Sequence, residues 1–436
     1  MPANPIAEVS GSAVLAKLTR RLLPFLFLLY VVAYLDRINV GFAKLQMSGQ
    51  LHFSEAVYGF AAGLFFAGYF CFQLPSNLIL AKLGARRWIS VIMLAWGAIS
   101  ASMMFVTTPR SFYILRFLLG IAEAGFFPGM IFYLRSWFPA ASRARAVALF
   151  ATAGPLSGVI GGPLSGAILS YHPTSGLAGW QWLFLLEGIP AMVLGGVVFL
   201  SLADEPRRAR WLSAEECSWL EQTLRTEEVA AGSASLGTSA PWWSIFFDPS
   251  ILLLGLVYFC LNTTSYGISL WLPSVLSSLA SRTNFAIGVL SAIPYLVAAG
   301  GMVVVGNHSD RTGERRWHVA GCALVAAGAL TLAAFSASTI GVVAGLSFAM
   351  FGVSAMVGPF WTLSSTLLSG LRASAGIAVI NSIGNLGGFV GPNILGLTRS
   401  SSGNFRNGLL VLAGGMVLGA GVALSVRMDR AGENRR

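Results

Sequence analysis

The sequence predicts an all-α polytopic membrane protein with twelve transmembrane helices, arranged as two six-helix halves that repeat each other. Its composition excludes an ordinary soluble protein, because 55% of its 436 residues are hydrophobic and only 10% are charged. Soluble domains are roughly 25% charged. Apolar runs of about 20 residues, the length that crosses roughly 30 Å of hydrocarbon, recur along the whole chain. Short motifs also return at one fixed spacing.

Twelve apolar segments are long enough to cross a bilayer as helices. Their predicted bounds are 22–43, 57–80, 88–108, 112–137, 144–170, 181–203, 249–279, 286–307, 317–337, 340–369, 373–397 and 407–427. The loops between them are short, except for one long polar segment after the sixth span. This arrangement predicts six spans on each side of a central linker.

Three motifs occur once in each half of the chain, at the same relative position. The matching pairs are Leu83–Arg87 with Thr312–Arg316, Arg143-Ala144 with Arg372-Ala373, and Gly162-Pro163 with Gly391-Pro392. Corresponding residues are 229 positions apart in all three pairs. Transporters built from two parallel repeats of this kind bind their substrate near the midplane and alternate access by rocking.

Lysine and arginine are distributed unevenly between the two ends of the predicted spans. With the N-terminus inside, the residues that fall outside are Lys44, Arg110, Arg282, Arg399 and Arg406. Arg37 and Arg116 fall within spans, and the others face the cytoplasm. Because a cytoplasmic excess of positive charge sets orientation, we expect a multi-pass protein of the inner (cytoplasmic) membrane with both termini cytoplasmic. The first apolar run lacks a small-residue cleavage site and is expected to remain as a span.

The predicted division of the chain follows the spans. It comprises a cytoplasmic N-terminal segment (1–21), a six-helix bundle (22–203), a cytoplasmic linker (204–248), a second six-helix bundle (249–427) and a cytoplasmic tail (428–436). The linker is predicted to contain a surface helix, since Ser213 and Glu216 have the spacing of a capping box. Trp242-Trp243 resemble an interfacial aromatic belt before the seventh span.

Nothing in the sequence predicts catalysis or a cofactor. The net charge of +11 is divided among short loops, so it does not indicate a nucleic-acid partner. The cysteines, Cys71, Cys217, Cys260 and Cys322, include no CxxC motif and predict neither a disulfide nor a metal site. No nucleophile–base constellation or phosphate-binding loop occurs at a recognisable spacing. We therefore expect a protein that is not an enzyme, uses no cofactor or metal, and acts as a monomer in the lipid bilayer.

Spans one and four each contain an acid and a base within the apolar run, where a charge costs roughly 3 kcal/mol even on a lenient insertion scale. Asp36 and Arg37 lie in span one, and Arg116 and Glu123 lie on one face of span four. One acid and one base in each span allow crossed ion pairs in a shared low-dielectric cavity. The alternatives are that Asp36-Arg37 ends the first span at the membrane surface, and that Arg116 caps an outer helix end while Glu123 is structural.

This balance of charges predicts coupling between protons and an anion. Protonating Asp36 or Glu123 leaves an arginine without its counter-charge, and that arginine then attracts an anion. A bound carboxylate in turn raises the proton affinity of the acid, because such coupling is reciprocal. All four histidines lie in loops or near the ends of predicted spans, so carboxylates are the expected proton carriers.

The loop after the eighth span has the pattern Gly306-x3-Asp310-Arg311-x-Gly313-x-Arg315-Arg316. This pattern resembles the signature of the major facilitator superfamily, and it implies the major facilitator fold. The first-half copy has Ala81 and Lys82 where the Asp-Arg pair would stand. The residues predicted to form a gating loop are Asp310, Arg311, Gly313, Arg315 and Arg316, whose arginines suit acids or helix C-termini between the bundles.

Longer segments resemble the anion:cation symporter family within that superfamily. The segments that carry the resemblance are 34–43, 68–80, 116–130, 137–150, 179–191 and 384–396. Within that family the chain is most similar to bacterial permeases for tartrate. The resemblance implies proton-coupled uptake of a small organic anion, such as tartrate or a sugar acid, by rocker-switch alternating access.

The resemblance also implies roles for individual residues. Arg37 would bind the substrate carboxylate while Asp36 and Glu123 titrate, with Arg116 as a charge partner. The candidate substrate contacts besides Arg37 are Tyr34, Tyr69, Asn262, Trp361 and Asn381, for each of which helix–helix packing is the alternative. Weaker candidates are Tyr266, Ser265 and Asn385. Glu187 is expected to be structural.

Two other kinds of transport remain open. A proton-driven exporter of drugs or aromatic acids is favoured by the sequence Gly158-x3-Gly162-Pro163-x2-Gly166, which partly resembles a motif of such exporters. Close helix packing explains the same small residues. A passive anion facilitator is the second alternative, and it would tolerate loss of the titratable acids.

Overall fold

The computed structural model describes residues 10–171, 176–234, 247–279, 283–367 and 371–426. Within these ranges the chain is helical and has no strand. Residues 1–9, Trp242-Trp243 and the predicted tail 428–436 lie outside them. The helices of the first half are α1 (Gly11–Gln50), α2 (Glu55–Leu83), α3 (Ala85–Ser102), α4 (Pro109–Glu123), α5 (Phe126–Arg135), α6 (Ala140–Ala151), α7 (Ala153–Ser170) and α8 (Gly179–Ser201).

The linker contains one longer helix, α9 (Ala214–Ala234). The helices that follow it are α10 (Pro249–Ser277), α11 (Asn284–Thr312), α12 (Arg316–Phe335), α13 (Thr339–Ala355), α14 (Val357–Leu367), α15 (Leu371–Ser402) and α16 (Arg406–Ser425). Short 3-10 turns lie at Met103–Phe105 and Pro206–Arg208.

Eleven of the predicted spans coincide with helical segments that are long and apolar enough to cross a membrane. The remaining span, 373–397, is covered by α15, which is long enough but carries Asn381, Asn385 and Asn393. This helix packs between α2 and α10, and Asn385 Nδ2 donates to Gln73 Oε1 of α2 at 3.5 Å. The predicted all-α polytopic membrane fold is confirmed.

Three spans are interrupted near their middle, where α4 passes into α5, α6 into α7, and α13 into α14. The first break follows Glu123 directly and contains Gly125. A Cβ atom on Gly125 would lie 1.8 Å from the Ser76 hydroxyl oxygen. Glycine therefore permits the close approach of α2 at the point where the helix turns.

Two close contacts between the halves involve residues that correspond to each other in the internal repeat. Gly59 of α2 faces Pro392 of α15, and Gly288 of α11 faces Gly162 of α7. Gly59 and Gly288 are corresponding residues, 229 positions apart. A Cβ atom on Gly288 would lie 2.2 Å from the Gly162 carbonyl oxygen, so the two backbones touch without intervening side chains.

The halves are closed on the side opposite the linker. There Tyr58 donates its hydroxyl hydrogen to the Leu270 carbonyl oxygen at 2.8 Å, across the interface. The Lys44 ammonium pairs with Glu55 at 2.7 Å and lies 4.7 Å from the centre of the Trp271 ring. These contacts join α1 and α2 to α10.

On the linker side, no ion pair joins the two halves among the residues that the structure describes. Asp310 is 71% exposed there, and it pairs with Arg315 of its own half at 2.7 Å. The described ion pair of the loop after α11 therefore lies within the second half.

The linker helix α9 is attached to the first half. The Lys17 ammonium contacts Glu216 at 2.6 Å, and Glu227 accepts hydrogen bonds from the Ala140 backbone N–H at 2.8 Å and Arg143 Nη2 at 3.2 Å. The predicted capping box is present, since Glu216 accepts from the Ser213 backbone N–H at 2.8 Å. The linker helix α9 is thus attached to the first bundle at both Glu216 and Glu227.

Candidate functional site

An ion pair between Arg37 of α1 and Glu123 of α4 occupies the space between the halves. Arg37 Nη2 donates to Glu123 Oε1, and Arg37 Nη1 donates to the Tyr266 hydroxyl oxygen of α10 at 3.2 Å. The Glu123 side chain is 1% exposed and that of Arg37 is 11% exposed. Removing one partner from such a buried pair costs about 3–5 kcal/mol, because the other charge is left uncompensated.

Close packing of α4 against α2 positions Glu123. A Cβ atom on Gly120 would lie 1.9 Å from the Phe65 carbonyl oxygen, so this glycine allows the backbones to touch. Glu123 is the last residue of α4 before the break at Ala124 and Gly125. Its carboxylate thus stands at a helix interruption in the middle of the bundle.

Aromatic rings surround the Arg37 guanidinium. Its central carbon lies 5.3 Å from the centre of the Phe65 ring and 5.6 Å from that of Tyr69. Contacts of this kind contribute about 0.5–2 kcal/mol each, depending on desolvation. The Tyr266 ring also lies 4.3 Å from that of Phe66.

Arg116 is fully buried but forms no ion pair among the described residues. Its Nε and Nη2 donate to the carbonyl oxygens of Ala61 and Ala62, each at 3.4 Å, and the Phe65 ring lies 5.0 Å away. Of the crossed ion pairs that the sequence allows, Arg37–Glu123 is formed and Arg116–Asp36 is not. Arg116 is held by the backbone of α2 instead.

Asp36 points into the first bundle. Its Oδ1 accepts a hydrogen bond from Asn39 Nδ2 at 3.0 Å and another from the Ser100 hydroxyl of α3. Asp36 is 0% exposed, and α1 continues to Gln50, so Asp36-Arg37 does not end a span at the membrane surface. Asp36 and Arg37 are adjacent in sequence but face different surroundings, because successive side chains on a helix point about 100° apart.

The second half supplies uncharged side chains to the central space. Tyr258 of α10 stacks on Phe360 with ring centres 5.2 Å apart, and the Trp361 ring lies edge-on to it at 5.0 Å. Asn262 is 6% exposed, and its Nδ2 has no hydrogen-bond partner among the described residues. Asn381 is half-buried on α15. These groups can receive a polar molecule that enters beside Arg37.

Other predicted candidates lie near the same space. The Tyr34 ring stands edge-on to that of Tyr30 at 6.4 Å, and Ser265 is half-buried beside Tyr266. Sequence reasoning ranked Tyr266 below Tyr34, although the Tyr266 hydroxyl oxygen accepts a hydrogen bond from Arg37. It also missed Tyr258, Tyr30 and Gln73. Helical spacing was the available signal for two of them, because Tyr30 precedes Tyr34 by four residues and Gln73 follows Tyr69 by four.

The predicted gating loop makes its described side-chain contacts within the second half. Gly313 ends α11 with a φ of 70°, in the left-handed region that glycine adopts without strain. Arg315 donates to Ser309 Oγ at 2.8 Å as well as pairing with Asp310, and Arg316 donates to the Val426 carbonyl oxygen at 3.4 Å. Arg311 is exposed at the end of α11.

Asp204 contacts the corresponding loop of the first half, which has no Asp-Arg pair. Its Oδ1 accepts a hydrogen bond from the Arg86 backbone N–H at 2.8 Å, beside Gly84 with a φ of 80°. An acid from the end of the sixth span thus caps the helix that follows the first-half loop. No group of three or more histidine, cysteine or acidic side chains suited to a metal occurs among the described residues.

Comparison with known proteins decides the family. The family model described as "Major Facilitator Superfamily" matches residues 26–392. The chain belongs to the Major Facilitator Superfamily. Among solved structures, a bacterial homologue of the human lysosomal transporter Spinster, in an inward-facing and occupied conformation, has the same fold. Its TM-score is 0.75 at 16% identity, covering 94% of this chain and 98% of that one.

Individual relatives of this major facilitator protein bear transport names. A "Putative tartrate transporter" of Agrobacterium vitis is 48% identical over 93% of this chain and 90% of the relative. A "Putative metabolite transport protein NicT" of Pseudomonas putida is 43% identical over 93% of this chain and 92% of the relative. A "Quinolone resistance transporter" of Acinetobacter baumannii is 39% identical over 93% of each chain. The predicted membership of the superfamily and the predicted likeness to tartrate-type permeases are both confirmed.

Proposed function

We propose that this transporter carries a small hydroxylated organic anion, tartrate or a close relative of it, into the cell together with protons. The observation that carries the proposal is the Arg37–Glu123 ion pair between the two halves. A planar guanidinium with two donor edges binds a carboxylate through both oxygens. In the present arrangement the protein's own carboxylate occupies one of these edges, where a substrate carboxylate would compete for it.

That competition supplies the coupling. When a substrate carboxylate binds Arg37 in place of Glu123, the Glu123 carboxylate loses its cation. Its side chain is 1% exposed, and burial then favours its protonated form. When the substrate leaves, Arg37 is available again and Glu123 releases the proton to restore the pair. Binding of the anion and of the proton therefore strengthen each other by the same factor. Alternating access converts this mutual preference into symport.

The second half of the site fits a hydroxylated substrate. The Asn262 side chain provides a donor and an acceptor, and its Nδ2 has no partner among the described residues. Asn381, Tyr69 and Trp361 would add polar contacts around the carbon chain. A purely apolar acid would leave these groups unsatisfied, which disfavours its binding.

The proposed orientation places the linker, α9 and both termini in the cytoplasm, in the inner membrane of the cell. Each half moves as one body, so the closed side opens when Lys44 and Tyr58 separate from α10. The proposed unit of transport is the monomer, since the charged centre lies within one chain.

Purified protein in proteoliposomes tests this proposal. An inward-directed proton gradient should drive accumulation of labelled tartrate, and collapse of the gradient by a protonophore should reduce the uptake to equilibration. Hexonates and aromatic acids serve as competitors that define the substrate. Uptake that reaches the same level with and without the gradient would identify a passive facilitator instead.

Export of a drug is the second candidate, because one relative is named for quinolone resistance. The same proteoliposomes distinguish the two. Competition by a quinolone in tartrate counterflow, together with proton-driven quinolone movement, would favour the exporter. Tartrate counterflow that a quinolone leaves unchanged would favour the anion importer.

A further inference from the structure

A cavity of about 220 Å³ lies on the linker side of the first half, away from the Arg37–Glu123 ion pair. Residues of α1, α5, the turn after α5, the end of α8 and the linker before α9 line it. Its polar and aromatic residues include Arg21, Tyr133 and Trp137. Neither Arg37 nor Glu123 lines this cavity, so it is a site separate from the proposed transport centre.

The ends of three predicted spans place the cavity at the level of the lipid headgroups. Arg21 directly precedes the first predicted span, Trp137 ends the fourth, and Ala203 ends the sixth. Tryptophan is enriched where a membrane protein passes from hydrocarbon to water, and basic side chains near helix ends reach the same interface. A ligand in this cavity would therefore meet the headgroup region and the hydrocarbon together.

Two polar atoms of the lining residues are buried and have no hydrogen-bond partner among the described residues. They are the Tyr133 hydroxyl oxygen and Trp137 Nε1. Tyr133 is 1% exposed and Trp137 is 0% exposed. A buried donor without a partner destabilises the protein, and an indole N–H can only donate. A ligand that satisfies these groups must therefore present acceptor atoms.

The charge of the cavity wall is positive. Arg21 lines it, and no carboxylate does so among the described residues. Arg21 also forms no ion pair in the described part of the chain. Asp204 lies within electrostatic range of Tyr133, but it pairs with Arg86 at 3.6 Å. An unpaired guanidinium beside two donors suits a phosphate group, whose oxygens accept hydrogen bonds and carry negative charge.

The remaining walls favour a lipid phosphate over free phosphate. Leu22 and Phe25 line the cavity beside Arg21, and Trp211 of the linker stacks on Trp137 with ring centres 5.6 Å apart and planes at 17°. The volume of about 220 Å³ is smaller than the roughly 300–1,000 Å³ of pockets that enclose a drug-sized ligand. It therefore fits one headgroup whose acyl chains remain in the bilayer.

We propose that this cavity binds the phosphate group of an anionic phospholipid from the leaflet on the linker side. Arg21 pairs with the phosphate, and the Tyr133 hydroxyl and Trp137 Nε1 donate to oxygens of the headgroup. Basic pockets between membrane helices bind anionic headgroups in the same way. Because Trp211 belongs to the linker, the bound lipid also holds the segment between α8 and α9 against the first bundle.

Native mass spectrometry of the purified protein tests this site without any transport measurement, because it counts bound lipids one at a time. Titration with dioleoylphosphatidylglycerol gives the apparent Kd of the tightest-bound lipid. That Kd should rise about tenfold in Tyr133→Phe and in Arg21→Gln, since each removes a hydrogen bond to a charged group. Arg20→Gln, at an exposed arginine outside the cavity, should keep the wild-type Kd.

An unchanged Kd in either cavity variant, or an equal loss of affinity in Arg20→Gln, would overturn the proposal. Tyr133→Phe removes only an oxygen without a described partner, so its thermal midpoint in lipid-free detergent should not fall. A lower midpoint together with wild-type lipid affinity would make the hydroxyl structural and would also overturn the proposal.

Hydrogen exchange over residues 203–213 distinguishes the sources of the phosphate. Dioleoylphosphatidylglycerol should slow exchange in this segment of the wild-type protein, and inorganic phosphate or dioleoylphosphatidylcholine should not. Equal slowing by inorganic phosphate would identify a site for a free anion. Equal slowing by dioleoylphosphatidylcholine would show that the charge of the lipid is not recognised. Either result would overturn the assignment to an anionic phospholipid.

Discussion

Arg37 Nη1 donates to the Tyr266 hydroxyl oxygen at 3.2 Å, and the two residues are 229 positions apart, which is the offset of the internal repeat. They therefore occupy corresponding places in the two halves and meet across the pseudo-symmetry axis. The same offset relates Asp36 to Ser265, Arg116 to Gly345 and Glu123 to Gly352. These four charged residues thus belong to the first half, and their counterparts are uncharged.

This asymmetry decides which contacts change during transport. The Arg37–Glu123 pair lies within the first half, so its two groups travel together when the halves rock. The Arg37–Tyr266 hydrogen bond joins different halves and must break or rearrange. In the proposed mechanism, the first half therefore exchanges a proton for an anion, and the Arg37–Tyr266 contact changes as the second half moves.

Tyr266→Phe should weaken substrate binding and favour separation of the halves, because it removes the hydroxyl that accepts from Arg37. A hydrogen bond to a charged group contributes about 1.5–3 kcal/mol, and every 1.4 kcal/mol is about tenfold in affinity. Tartrate Kd from calorimetry on purified protein measures the effect. Tyr113→Phe, on the outer surface of α4, is the matched control, and an equal loss in both variants would contradict the assignment.

Arg37→Lys should reduce kcat/KM for tartrate by about 10- to 100-fold, since lysine keeps the charge but lacks the planar fork. The single ammonium cannot contact Glu123, Tyr266 and both substrate oxygens in the same geometry. Initial rates of tartrate counterflow over a range of concentrations provide the measurement. Arg110→Lys, at an exposed arginine of α4, should retain the wild-type rate, and full activity of Arg37→Lys would show that charge alone suffices.

Gly288→Val should open the side opposite the linker, because a Cβ atom there would lie 2.2 Å from the Gly162 carbonyl oxygen. The substitution cannot fit while α7 and α11 touch. Distances between spin labels at the outer ends of α1 and α10 should lengthen in this variant. Gly415→Val provides the control, since a Cβ at Gly415 meets open space, and an unchanged distance in Gly288→Val would contradict the close packing.

Acid should loosen the attachment of α9 to the first half. The hydrogen bond from Lys17, followed by that from the Ser213 backbone, holds the pKa of Glu216 below its ordinary value. A depressed pKa means that the contact stabilises docking above the ordinary glutamate range, and that this contribution is lost as pH falls through the lowered pKa. Hydrogen exchange over residues 214–227, corrected for intrinsic rates, should show protection decreasing in acid.

Glu216→Gln should remove this pH dependence and lower protection at neutral pH. Glu215→Gln is the matched control, because the Glu215 carboxylate bonds Ser213 within the linker and makes no described ion pair with the first half. If Glu216→Gln keeps the wild-type pH dependence, another group controls the docking of α9.

Much of the fold could be predicted because the bilayer constrains the sequence directly. A span must be apolar for about 20 residues, and a repeat of short motifs reveals two halves without any knowledge of packing. The span 373–397 was predicted in the same way, although α15 carries Asn381, Asn385 and Asn393.

The candidate site was predicted less completely, for a reason that Asp36 and Arg37 illustrate. Hydropathy identifies both as costly charges in a span, but it does not fix the rotation of α1, which depends on packing against α7, α8 and α10. That rotation directs Asp36 to Ser100 and Arg37 to Glu123. The break after Glu123 and the contact with Tyr266 likewise depend on close approaches at glycines, which sequence spacing alone does not reveal.

The central claim is that Glu123 exchanges its ion pair with Arg37 for a proton when the anion binds. Glu123→Gln removes the titratable group and keeps the side-chain shape, so tartrate exchange under counterflow should persist while proton-driven accumulation is lost. Both rates are measured on the same proteoliposomes, with an internal pH dye reporting proton entry. Loss of tartrate-dependent proton entry with preserved exchange is the predicted result, and gradient-driven accumulation at the wild-type level in Glu123→Gln would contradict the account.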